Sequence, residues 1–166
     1  MQGNLDIPIG PEGAEEVREG LRDLVPLEFR AVYSSPTLCA YQTAQIVARE
    51  AGRAVRRIEA LAEADLGLWQ GLFESDVKRK HRKAYATWKA TPLAVVPPHG
   101  EGFRAAYWRL SGAIDEILAA NGRGRAVAVV APRIAHRLIE CRLRGVQPEE
   151  FWEEDGIGFR ADRFSV

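Results

Sequence analysis

Cysteine is scarce: Cys39 and Cys141 are the only two in 166 residues, too few for a disulfide framework, and neither sits at metal-ligand spacing from a histidine. No apolar run approaches the length of a membrane span. The amino terminus, Met1-Gln2-Gly3-Asn4-Leu5-Asp6, lacks the basic then apolar pattern of a secretory signal. Excess charge is missing as well. Lys and Arg total 23, as do Asp and Glu, and this balance argues against bulk affinity for nucleic acid or anionic membrane. Nucleotide loops are also wanting: Gly122-Arg123-Gly124 precedes an apolar run instead of following one, and there is no Walker loop. These absences lead to the expectation of a cytoplasmic, reduced protein with no cofactor and no metal, whose partners must be read locally.

The chain is long enough for one ordinary core, so one domain over residues 1–166 is expected. Its most informative stretch is 126–139. Ala126-Val127-Ala128-Val129-Val130 is apolar throughout, as suits a strand buried on both faces, and it passes through Ala131, Pro132 and Arg133 into a helical pattern. The crevice beyond the carboxyl ends of such strands is where ligands bind in open α/β sheets.

The remaining pattern alternates in the same way. Pro11 opens a helix carrying Ala14, Val17, Leu21 and Leu24, which Pro26 ends. Ala31-Val32-Tyr33-Ser34-Ser35 reads as a strand, and a helix runs from Thr37 with Ala40, Ala44, Ile46 and Val47 to Gly52. A short strand over 55–58 and a Gly-punctuated loop over 66–72 follow. One polar helix is expected over 75–91. Its basic run, residues 78–83, would be spread around the helix axis and reads as solvated surface. After a Pro-rich connector, a long helix over 101–120 turns Phe103, Ala106, Leu110, Ile114 and Ile117 or Leu118 inward and stops at Asn121-Gly122. A short helix from Pro148 with Phe151 and Trp152, then a closing strand over 157–166, complete the reading. The expected class is α/β, three layers with a mainly parallel sheet. His81 and His136, on helix surfaces or edges, read as structural.

Several motifs share one order. Gln2-Gly3-Asn4-Leu5-Asp6-Ile7-Pro8, Val32-Tyr33-Ser34-Ser35-Pro36 with Gln42-Thr43-Ala44, Leu61-Ala62-Glu63 with Gly67-Leu68-Trp69-Gln70-Gly71, Gly100-Glu101, and the 126–130 run with Arg137 and Gly145 follow one another. In this the chain resembles the histidine phosphatase superfamily, in its phosphoglycerate mutase-like branch. The resemblance implies that fold and a phosphoryl transfer through a histidine nucleophile, within a pocket of two arginines and a second histidine. A carboxylic acid protonates the leaving oxygen. Glu63 matches that acid. Arg133, His99, Glu101 and Ser34 are the residues expected to face a ligand.

Other family positions differ. The Arg-His-Gly strand that carries the nucleophile matches nothing in residues 1–166, Cys39 stands in the register of the second arginine, and Pro132 in that of the second histidine. The expectation from the resemblance is a catalytically impaired relative that binds a phosphorylated metabolite or a protein partner. Two alternatives stand beside it: a phosphomonoesterase or mutase completed by another chain or a longer reading frame, and chemistry dependent on Cys39. A missing first strand would also bare the edge of the 126–130 strand, so coverage by 157–166 or by a second copy, as a homodimer, is expected.

Overall fold

The computed structural model describes residues 1–22, 24, 28–148 and 160–165. Three parallel strands, β1 (Ala31–Ser34), β2 (Val55–Arg57) and β3 (Val127–Val130), lie in the order β2-β1-β3. Tyr33 pairs with Arg56 on one side and Val129 on the other. The helices are α1 (Pro11–Leu21), α2 (Leu38–Glu50), α3 (Glu74–Lys80), α4 (Arg82–Ala90), α5 (Phe103–Asn121) and α6 (Arg133–Arg144).

The pleat divides the core in two. Ala31, Tyr33, Val127 and Val129 face one layer with residues of α5 and α6, whereas Val32, Ala128 and Val130 face the other with Val17 and Leu21 of α1 and Ala44 and Val47 of α2. Helices therefore cover both faces of the sheet, the expected three-layer arrangement.

β1 and β3 differ in what they bury. All four β1 residues are buried, but all four of β3 are only half-buried. The carbonyls of Ala126 and Val130 accept from Arg30 and Ser35, so even-numbered β3 residues turn their backbone toward β1. Val127 and Val129 turn theirs the other way, to an edge that no strand among the described residues pairs.

Three sequence expectations need correction. The polar helix of 75–91 is two helices broken at His81, whose φ of −124° and ψ of 47° are not helical. A straight helix would hold Val77 and Trp88 about 16 Å apart, and the break lets both, with His81, gather around buried Trp69. The first helix stops at Leu21, short of Leu24. The closing strand is not formed where it is described: residues 160–165 have no strand structure and are drawn instead onto α6 by charge. The remainder of that segment and the short helix with Phe151 and Trp152 lie outside the described residues, as does Pro26.

Candidate functional site

β1 runs through Ser35, Pro36 and Thr37 into α2 on one face, and β3 runs through Ala131 and Pro132 into α6 on the other. Chains departing to opposite faces open a crevice between the carboxyl ends of β1 and β3. Both helix amino termini at this crevice are capped by carboxylates from distant loops. Asp6 Oδ1 accepts the Leu38 N–H of α2 at 2.9 Å. Glu63 caps α6: Oε2 accepts from Ile134 at 3.0 Å, and Oε1 from Ala135 at 2.8 Å and from Ala64 at 2.9 Å.

Glu63 is 5% exposed. Burial raises its pKa from the usual 4.5 to about 7, against the lowering by its three amide donors and by the Arg109 cation. A carboxyl so placed exchanges a proton near neutrality, as a general acid must. Its loop is held from α5. Arg109 donates to the carbonyls of Ala60 at 2.8 Å and Ala62 at 3.0 Å, and forks onto both oxygens of Glu101.

From the crevice a groove of about 1670 Å³ runs down the open edge of β3. Val17 and Leu21 of α1 and Val47 of α2 wall one side, and Ile117 of α5 and Ile139 and Leu143 of α6 the other. Of the residues expected from the sequence, Glu63, Cys39, Pro132 and Arg133 meet along this groove, as do Gln2 and Gly3 at its mouth. The others are elsewhere. Ser34 is fully buried and donates to the Ser35 carbonyl at 2.8 Å; His99 sits on an exposed loop at φ +58°; Glu101 is engaged by Arg109.

Sequence reasoning missed Arg109 and Asp6 because their partners lie 47 and 32 residues away in the chain. The one available signal was an arginine beside inward-facing Leu110. It also left His136 without a partner. His136 lines the groove, with Nε2 at 3.4 Å from Asp162, and its pKa is lowered chiefly by burial, against Asp162 and Glu140. His136, Glu140 and Asp162 come close enough together to resemble a metal-ligand set. Their carboxylates are already engaged: fully buried Glu140 accepts from Arg137 at 3.0 Å, Arg144 at 3.0 Å and Arg160 at 3.1 Å, while Arg160 also holds Asp162 at 2.8 Å. This is an ion network that ties residues 160–165 to α6.

No helix among the described residues is long and apolar enough to cross a membrane. The sequence model of the family described as "Histidine phosphatase superfamily (branch 1)" matches residues 1–156. "Phosphoserine phosphatase 1" of Hydrogenobacter thermophilus is 27% identical over 151 residues, spanning 91% of this chain and 71% of its own length. "Phosphoglycerate mutase-like protein 4" of Arabidopsis thaliana is 28% identical over 143 residues, 84% of this chain and 62% of its own. Among solved structures, a mycobacterial glucosyl-3-phosphoglycerate phosphatase with inorganic phosphate superposes with a TM-score of 0.82 at 24% identity, covering 95% of this chain and 79% of the other. That likeness is one of fold.

Proposed function

The chain belongs to the histidine phosphatase superfamily, branch 1, and from that membership we propose that it is the greater part of a phosphoric monoester hydrolase whose site is finished by a strand from outside residues 1–166. The observation that carries this reading is the groove along β3, whose lining includes Glu63. Val127 and Val129 turn backbone donors and acceptors there that no strand among the described residues pairs, between apolar residues of α1 and α2 and of α5 and α6. Such an edge favours one extended segment that is apolar on both faces. It disfavours the β3 edge of a second copy, which would bring its own covering helices.

In this reading Glu63 supplies the proton to the leaving oxygen, and its α6 amide partners fix its direction. Arg133, in the first turn of α6, adds positive charge at the groove mouth. The phosphoryl acceptor and the remaining cations come with the added strand in this reading, since Pro132 offers neither and Cys39 brings no cation. A relative named as a phosphoserine phosphatase matches over 91% of this chain, which supports an enzyme over an inactive binding protein.

The test is turnover of a small phosphomonoester by residues 1–166 alone, by the product of any longer reading frame, and by residues 1–166 with the preceding segment added as a separate peptide. Activity is expected only in the completed forms, and Glu63→Gln should reduce it by about 10²-fold or more. A completed form that binds phosphate yet never turns a monoester over would return the protein to the impaired, ligand-binding reading. No binding and no turnover in any form would sink both.

A further inference from the structure

α5 buries one side and leaves a tryptophan on the other. Phe103, Ala106, Leu110, Ile114 and Ile117 are in the core, while Trp108 is 66% exposed. At helical spacing Arg104, Trp108, Gly112 and Asp115 share the outward side, and all are exposed. Next to them a recess of about 480 Å³ lies between α5 and the end of α6, lined by Ser111, Gly112, Asp115, Arg142 and Gly145. One feature says what fits it. Gly112 leaves its space open, since a Cβ built there would meet nothing within 4 Å.

We propose that this face docks a second copy of the chain, the two α5 helices antiparallel about a two-fold axis near Leu110. Positions 108 and 112 are equidistant from 110, so the axis sets Trp108 of each copy over Gly112 of the other. The same axis brings Arg104 of one copy against Glu116 of the other, a pair of opposite charge that occurs twice, while Asp115 stays with Arg142 of its own chain at 2.8 Å. Trp and Arg are the side chains that most often anchor such interfaces. The face lies on the far side of α5 from the groove-lining Ile114 and Ile117 and does not depend on the proposed reaction.

Sedimentation of the full chain over a wide concentration range tests this, with wild type, Trp108→Ala, Gly112→Leu and Val129→Pro compared, and circular dichroism confirming that each is folded. A wild-type dimer is expected, weakened roughly tenfold or more by either α5 variant and unchanged by Val129→Pro. Wild type that stays monomeric up to near-millimolar concentration overturns the proposal, whichever part of the same chain then covers Trp108. A dimer indifferent to both α5 substitutions overturns it too, and one lost only in Val129→Pro places the contact at the sheet edge instead.

Discussion

Glu63 accepts the backbone N–H of Ala135 at 2.8 Å across 72 residues of sequence. This bond and its two companions place a titrating carboxyl inside the amino terminus of α6. Because burial raises its folded pKa to about 7, the folded state holds the proton between pH 4.5 and 7 where the unfolded chain has released it. The stabilisation is therefore fully present below 4.5 and lost as pH rises through 7. Urea unfolding should show about 3 kcal/mol of stability lost from this group between pH 4.5 and 8. In Glu63→Gln that contribution to the slope should vanish. An unchanged slope in the variant would mean that another group titrates.

His136 contributes with the opposite sign. Its folded pKa is lowered, so its share of stability is present above the unfolded value of 6.5 and lost as pH falls below it. Nuclear magnetic resonance titration of the three histidines should find His136 titrating below 6.5, and Asp162→Asn should lower it further by removing the facing carboxylate. Arg160, Arg137 and Glu140 also face this ring, so the Asp162 effect must be read with those groups intact.

Proline separates the two sides of β3. Ala128→Pro removes a ladder N–H directed at β1 and should destabilise the chain strongly. Val129→Pro removes one directed at the open edge. Its effect on the stability of residues 1–166 should be much smaller, but it should abolish any activity gained from an added strand. Equal destabilisation by both would mean that the Val129 amide already has a partner.

Arg109 joins α5 to the loop that presents Glu63. Arg109→Ala leaves the Ala60 and Ala62 carbonyls and Glu101 without their donor, and should cost about 2 kcal/mol in chemical unfolding. Hydrogen exchange at the Ile134 and Ala135 amides should also rise, because Glu63 loses its support. Arg109→Lys should recover only part of both effects, since an ammonium cannot fork.

Gly100 has a different constraint. A Cβ there would lie 2.4 Å from the Asp65 carbonyl oxygen and 2.9 Å from the Gly67 nitrogen. Gly100→Ala should force the Asp65–Gly67 loop away from the Pro97–Glu101 loop and lower the melting midpoint by several degrees. Gly52→Ala, where space is open but φ is +62°, isolates the cost of backbone conformation alone.

The layers and the place of the crevice were legible in the order of residues alone. Unbroken apolar runs such as 126–130 must be buried on both faces, and their alternation with helical periods leaves few arrangements besides a covered parallel sheet. The ordered motifs likewise gave the family and put Glu63, Cys39, Pro132 and Arg133 near one another. Tertiary structure alone decided how those residues are engaged. Whether Glu63 is solvated or caps α6, and whether Glu101 faces a ligand or Arg109, depends on groups that meet across dozens of residues, and local patterns of hydrophobicity carry no information about such pairings. Residues 160–165 went the same way. Their short sequence permits a strand, but a fully buried Glu140 on another element requires cations, and Arg160 supplies one.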